Sequence, residues 1–70
     1  MKRFGEKLRT LRQRRGMTLQ ELSQLLEVST THIWNIENGK KMPNVPMVIK
    51  VSDIFTVMAD QLIRDELEVD

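Results

Sequence analysis

Side chains suited to recognising another molecule are concentrated in one short stretch near the middle of the chain. Thr30, Thr31 and Asn35 carry hydroxyl and carboxamide groups, which are types that hydrogen-bond the edges of nucleic-acid bases. Lys40 and Lys41 follow closely and carry the positive charge that suits a polyanion. The chemistry of this stretch therefore favours binding over catalysis.

The chain lacks the groups that common classes of enzyme use. It has no cysteine and a single histidine, His32, which excludes disulfides, cysteine-ligated zinc and a histidine-built metal site. It also contains no nucleophile–base pair and no glycine-rich phosphate loop. We therefore expect no enzyme activity, no cofactor and no metal, and we interpret His32 as a partly buried structural residue.

Charge is distributed unevenly along the chain, although the net charge is only +1. Lysine and arginine dominate residues 1–15 and 40–50, whereas acids dominate residues 16–39 and 51–70. Such segregation can present one basic face to a polyanion. Ordinary solvated helix faces would show the same runs, so phosphate contact and plain solvation both stay open for the N-terminal arginines.

Two predicted helices precede the polar stretch. A first helix is predicted over residues 2–15 from apolar residues at i, i+4 and i+7: Phe4, Leu8 and Leu11. Gly16 ends it, and Thr18 with Glu21 forms a capping box that begins a second helix. The apolar stripe of this second helix is predicted from its leucines: Leu19, Leu22, Leu25 and Leu26.

Three further helices are predicted after the turn near Glu27. Ser29 is a good N-cap for the third, which Gly39 closes, and Asn44 caps a fourth helix with Pro46 in its first turn. Residues 59–64 read as a short fifth helix, and the acidic tail, residues 65–70, is expected to fray. The chain is thus predicted to be one all-α domain, residues 1–70. No apolar run approaches the roughly 20 residues of a membrane span.

The segment 18–39 combines two short capped helices with a tight turn, which is the geometry of a helix-turn-helix. An ordered set of residues with matching gaps resembles the Cro/cI-type (XRE) helix-turn-helix family. The set consists of Gly16-Met17-Thr18, Gln20-Glu21-Leu22, Val28-Ser29, Ile33, Ile36-Glu37-Asn38-Gly39-Lys40, Pro43, Val48, Val51, Phe55, Val57 and Leu62. The resemblance implies a compact five-helix lambda-repressor-like DNA-binding domain that binds operator DNA, usually as a dimer.

The resemblance also implies roles for individual residues. The helix after Ser29 becomes the recognition helix, and its base-reading positions hold Thr30, Thr31 and Asn35. Phosphate contacts are implied for Asn38, Lys40 and Lys41, and for the helix N-terminus that Thr18 caps. Ser29 and Trp34 complete the predicted DNA-binding set.

Three local expectations accompany the resemblance. Arg12 and Glu37 match a pair that bridges the first helix to the recognition helix, so we predict a partly buried structural ion pair. Glu27 stands where relatives often carry glycine, and we expect a slightly different turn because a positive φ at a non-glycine residue costs roughly 1 kcal/mol. Trp34 is predicted to point away from the core. There it packs along the DNA backbone or touches a sugar or methyl group, folds over neighbouring side chains, or meets a protein partner.

Dimerisation is predicted from apolar residues that exceed what a small core hides: Met47, Ile54, Met58 and Val69.

The leading hypothesis for function is a transcriptional repressor that reads double-stranded DNA in a prokaryotic cytoplasm, in the nucleoid or in the host of a phage or plasmid. Alternatives are an antitoxin, a controller of a restriction system, or a module of the same fold that binds a protein partner. No role at a membrane is expected.

Overall fold

The computed structural model describes residues 1–69, and helices account for most of them. The five helices are α1 (Phe4–Arg14), α2 (Leu19–Leu26), α3 (Thr30–Glu37), α4 (Val45–Phe55) and α5 (Ala59–Ile63). The predicted all-α architecture is confirmed. The first and last helices are shorter by one or two residues at their ends than the predicted 2–15 and 59–64. None of the helices in this part of the chain has the length and apolar character needed to cross a membrane.

Side-chain caps fix where three of the helices begin. The capping box of α2 is complete, since Glu21 N donates to Thr18 Oγ1 at 3.0 Å and Thr18 N donates to Glu21 Oε1 at 2.8 Å. Ser29 Oγ accepts from His32 N at 3.0 Å at the start of α3. Asn44 Oδ1 accepts from Met47 N at 2.9 Å at the start of α4. These three predicted caps are confirmed.

All five helices and the tail contribute to one core. Its buried apolar side chains are Phe4, Leu8, Leu11, Leu22, Leu26, Ile33, Ile36, Met47, Val48, Val51, Phe55, Leu62 and Val69. Met47 and Val69 therefore belong to the core, and their assignment to surplus apolar surface was wrong. Leu25 was wrongly placed in the buried stripe of α2, because 51% of it is exposed. Leu22 and Leu26 face the core, and Leu25 lies to one side of them on the helix.

Helix α1 crosses α3 at Gly5 without a side chain between them. A Cβ on Gly5 would overlap the carbonyl oxygen of Ile36 and crowd that of Glu37. The close approach brings α1 against the C-terminal end of α3, just before Lys40 and Lys41 of the polar stretch. Helix α1 therefore serves as the support on which α3 rests.

The tail is ordered against α1, and the expectation that it frays was wrong for residues 65–69. Arg3 donates to the carbonyl oxygen of Asp65 at 2.7 Å and to both carboxylate oxygens of Glu68 at 2.9 and 3.0 Å. The Asp65 carboxylate accepts from the backbone N–H groups of Lys2 and Arg3 at 3.0 and 2.9 Å. We call Arg3, Asp65 and Glu68 the clasp. Residue 70 lies outside the described residues.

The clasp anchors the start of α1, whose N-cap residue, Arg3, makes no side-chain capping bond of its own. Three further bonds, from two side chains, extend the attachment along α1. Lys7 is buried, and its ammonium donates to the carbonyl oxygens of Gln61 and Arg64 at 2.6 and 2.7 Å. Arg14 donates to the carbonyl oxygen of Val69 at 3.0 Å. One side of α1 thus holds α5 and the tail.

Candidate nucleic-acid interface

A left-handed residue forms the turn between α2 and α3. Glu27 has φ 59° and ψ 42°, so the expectation that it avoids the left-handed conformation was wrong. Its own N–H donates to Gln24 O at 3.2 Å, and Val28 N donates to Ser23 O at 3.0 Å. These bonds close the last turn of α2 and compensate part of a backbone strain of roughly 1–2 kcal/mol. The chain then enters α3 within three residues.

The outward side of α3 carries most of the predicted contact residues. Ile33, Ile36 and Glu37 face inward and are buried, which leaves Thr30, Thr31 and Trp34 exposed. Thr30 Oγ1 lies 3.3 Å from Ser23 Oγ of α2. Asn35 and His32 are half-buried at the edges of this side.

The two lysines fold back onto the end of α3. Gly39 has φ 74°, which reverses the chain direction. Lys40 N and Lys41 N then both donate to Asn35 O, at 2.8 and 3.3 Å. Backbone hydrogen bonds therefore connect the two predicted phosphate-binding lysines to Asn35, the predicted base-reading residue.

Trp34 stands beside Lys40 on this surface. The Lys40 ammonium lies 5.3 Å from the centroid of the Trp34 ring, within the range of a cation–π contact. The side chain of Trp34 is 43% exposed. The prediction that it points away from the core is confirmed.

Asn38 ends α3 with both of its amide atoms engaged. Its Nδ2 donates to Trp34 O at 2.8 Å, and its Oδ1 accepts from Arg9 Nη2 at 3.0 Å. At the other predicted contact outside α3, the Thr18 hydroxyl accepts from Glu21 N within the capping box, at the N-terminal end of α2. Both residues are exposed.

The ion pair predicted between α1 and α3 is present. Arg12 Nε donates to Glu37 Oε2 at 2.7 Å, Arg12 Nη2 donates to Glu37 Oε1 at 3.1 Å, and the Glu37 side chain is only 2% exposed. Arg12 Nη1 also donates to Met17 O at 2.8 Å. Arg9 adds a second cation to the same carboxylate, with its Nε 3.3 Å from Glu37 Oε1.

The N-terminal basic residues are largely committed to contacts within the chain, a possibility that sequence reasoning missed. Arg3 belongs to the clasp, Arg9 and Arg12 bind Glu37, and the Arg15 guanidinium lies 4.8 Å from the centre of the Phe55 ring. The sequence did contain an indication that Arg9 contacts the same partner as Arg12. Arg9 precedes Arg12 by three residues, and this spacing places both on one face of a helix.

A second surface feature is an apolar groove of about 260 Å³ between α4 and α5. Val45, Val48, Ile49, Ala59 and Ile63 line most of it. Val45, Ile49 and Ile63 are also among the exposed large apolar residues of the chain. We call these lining residues the α4–α5 groove.

Known proteins share both the sequence pattern and the fold. The family model described as a helix-turn-helix domain matches residues 3–65. The HTH-type transcriptional activator BcrR of Enterococcus faecalis is 38% identical over 63 residues, which cover 90% of this chain and 31% of BcrR. The HTH-type transcriptional repressor RghR of Bacillus subtilis is 44% identical over 50 residues, covering 71% of this chain and 37% of RghR.

The structural comparison agrees with the sequence comparison. The N-terminal DNA-binding domain of SinR from Bacillus subtilis superposes with a TM-score of 0.83 at 23% identity, covering 97% of this chain and all of that domain. This likeness shows the fold. The chain spans 31%, 13% and 19% of the lengths of three curated relatives that it matches, so these relatives are much longer proteins.

Proposed function

Because the chain belongs to the helix-turn-helix domain family, we propose that it is a transcriptional regulator that binds double-stranded DNA and reads its sequence through α3. The observation that carries this proposal is the outward side of α3, where the exposed Thr30 and Thr31 occupy the first turn and two lysines fold back onto the C-terminal end. Helices of this class lie in the major groove, while the preceding helix crosses the DNA backbone.

Base reading is assigned in this proposal to Thr30, Thr31 and Asn35. A threonine hydroxyl bonds a base edge or its methyl touches a thymine methyl, and an asparagine amide pairs bidentately with adenine. Each good bidentate pair contributes about 1–3 kcal/mol of discrimination against the wrong base. The side chains of Thr30 and Thr31 are exposed, which supports the assignment.

Phosphate contacts are assigned to a second group, which positions the protein without reading sequence. Its members are Thr18, Ser29, Trp34, Asn38, Lys40 and Lys41. Lys40 is supported by its place over the Trp34 ring, because a cation held at a fixed point on the surface binds a phosphate with less loss of side-chain entropy. For Trp34, this arrangement favours packing along the DNA backbone.

We propose that two copies pair through the α4–α5 groove. The exposed apolar residues of the groove support this, since such patches on small domains mark interaction sites. A two-fold pair would read two half-sites roughly 34–36 Å apart. Sedimentation equilibrium at increasing protein concentration tests the pairing, and a monomer throughout the micromolar range that selects non-palindromic duplexes would contradict it.

The regulatory effect that we propose is repression by occupying an operator in a prokaryotic cytoplasm, through binding without catalysis. One matched relative is named an activator and another a repressor. A promoter–reporter assay therefore tests whether this protein represses or activates transcription. A reporter that the protein activates would replace repression with activation and leave the DNA-binding proposal intact.

Selection from a random duplex library, followed by a salt titration of the enriched duplex, tests DNA binding directly. We expect a palindromic consensus and an affinity that falls steeply with salt, because phosphate contacts release counterions. Absence of any enriched sequence, with only weak binding at low salt, would contradict sequence-specific recognition. In that case, a protein partner becomes the better explanation of the exposed surfaces.

A further inference from the structure

A polar network joins the middle of α1 to the C-terminal end of α3. Arg9 donates to Glu37 Oε1 at 3.3 Å and to Asn38 Oδ1 at 3.0 Å, and Asn38 Nδ2 donates onward to Trp34 O at 2.8 Å. We infer that Arg9 is a positioning residue that turns the donor side of the Asn38 amide toward a DNA phosphate. This inference rests on the proposed function and adds to it a residue with no assigned role.

The orientation of the Asn38 amide decides whether it attracts or repels a phosphate. An asparagine side chain presents a carbonyl oxygen on one side and two N–H groups on the other. A phosphate oxygen accepts hydrogen bonds, so only the N–H side binds it. Arg9 occupies the carbonyl oxygen, which an arginine can do because the guanidinium carries donors and no acceptor.

The donor side of the amide keeps one N–H for a ligand. The first N–H of Asn38 Nδ2 bonds Trp34 O, and within residues 1–69 the amide makes no other hydrogen bond through this nitrogen. Asn38 is exposed, so the second N–H is accessible to a partner outside the chain. A flipped amide would place its oxygen opposite Trp34 O, and two acceptors facing each other are unfavourable.

Glu37 anchors Arg9 in turn. The Glu37 side chain is 2% exposed and binds Arg12 and Arg9 together, whereas the Arg9 side chain is 43% exposed. The buried Glu37 carboxylate therefore holds the Arg9 guanidinium in place, and the guanidinium in turn holds the amide of Asn38. Arg9 acts on DNA through Asn38 in this arrangement, although its charge lies near the surface.

The first test reads the amide orientation in the free protein by NMR. We expect one Asn38 Nδ2 proton of the wild type to exchange slowly with water, because it is bonded to Trp34 O, and the other to exchange fast. Arg9→Met should reduce the difference, because the bond to Trp34 O then holds the amide without a partner on its oxygen. Equal exchange of both protons in the wild type, or unchanged protection in Arg9→Met, would overturn the positioning role whatever the protein binds.

The second test is a double-mutant cycle in binding to the enriched duplex. Asn38→Ala and Arg9→Met should each weaken binding about tenfold, as expected for a lost hydrogen bond to a charged group. The double variant should bind no more weakly than Asn38→Ala alone, because Arg9 has no effect without the amide. Losses that multiply in the double variant would overturn the inference.

Salt dependence separates positioning from a direct phosphate contact by Arg9. Arg15→Met is the matched control, since it removes one charge from the same part of the chain outside the network. Arg9→Met should change the slope of affinity against salt no more than Arg15→Met does. A slope lower by about one further unit would assign Arg9 to the phosphate contacts directly and overturn its positioning role. Wild-type protein that enriches no duplex would instead contradict the proposed function.

Discussion

Single residues of the candidate interface differ in what their chemistry allows them to recognise. Asn35 carries a donor and an acceptor on one side chain, which suits a particular base, whereas Lys40 carries a point charge that suits any phosphate. The structure ties the two together, because Lys40 N donates to Asn35 O at 2.8 Å. Substitutions at these two neighbours should therefore have effects of different kinds.

Asn35→Ala should remove a base contact. We expect specific affinity to fall by about 1–3 kcal/mol and the preference at one base position to relax, because the amide pairs bidentately with one base. Repeating the duplex selection with the variant checks this. An equal loss of affinity on every sequence would instead indicate that Asn35 acts on the backbone of the DNA or on the fold.

Lys40→Ala should weaken binding nearly uniformly across sequences. The expected signature is a slope of affinity against salt that is lower by about one unit, because one fewer counterion is released. A titration of the same duplex from low to high salt measures it, with Lys50→Ala as the control for loss of an exposed lysine elsewhere. An unchanged slope would remove Lys40 from the phosphate-binding group.

The geometry of the helix-turn-helix depends on one buried ion pair and one strained turn residue. The Arg12–Glu37 ion pair joins α1 to α3, and Glu27 holds the turn in a left-handed conformation. Both features set how α3 is presented, and neither needs to touch DNA. Their effects should therefore appear first in the stability of the domain.

Arg12→Met should destabilise the fold by about 3 kcal/mol, because removing one partner leaves a buried carboxylate undercompensated. Arg9 limits the loss, since its Nε stays 3.3 Å from the same carboxylate. Urea unfolding of the variant measures the free energy of unfolding, with Arg15→Met as the matched control. A midpoint equal to that of the wild type would mean that the ion pair contributes little.

Glu27→Gly should stabilise the domain by about 1 kcal/mol, because glycine adopts a positive φ without the strain of a Cβ. Glu27→Ala is the control, since it keeps the strain and removes only the exposed pair with Lys50, whose ammonium lies 3.6 Å from the carboxylate. Thermal unfolding should place the glycine variant about 4–8 °C higher for each kcal/mol gained. Equal melting temperatures for the two variants would show that the turn stores no strain.

The helices and their caps were predictable because each signal is local. Thr18 with Glu21, and Ser29 with the N–H of His32, are pairs within three residues, and sequence spacing alone brings them together. The Arg12–Glu37 pair was predictable only through resemblance to a family, since 25 residues separate its partners. The contact of Arg9 with Glu37 was not predicted, because the spacing of Arg9 and Arg12 places both on one helix face but does not show which carboxylate that face contacts.

For the whole molecule, the clasp is the feature that joins distant parts of the chain. Arg3 and Asp65 are separated by 62 residues, and no spacing rule connects them, so the tail was wrongly expected to fray. Acids near a chain end are usually solvated, and only the folded position of α1 reveals their partner. The clasp therefore becomes predictable only once the packing of α1 against α5 is known.

The clasp should make stability depend on acid pH. Hydrogen bonds from the backbone N–H groups of Arg3 and Lys2 lower the pKa of Asp65, and the Arg3 side chain lowers the pKa of Glu68. Because both values lie below those of the unfolded chain, the stabilisation is present above pH of about 4–5 and is lost as pH falls through the folded values. Urea unfolding of the wild type and of Asp65→Asn/Glu68→Gln between pH 3 and 7 checks this. Equal pH dependence of the two proteins would contradict it.

The position of Trp34 also gives the protein an optical property. The chain has one tryptophan and no tyrosine, so practically all of its absorbance at 280 nm and its ultraviolet fluorescence come from this one side chain on the outward face of α3. Its emission should report events at the recognition surface and be nearly blind to pairing at the α4–α5 groove. An unlabelled fluorescence titration would thus follow duplex binding separately from self-association.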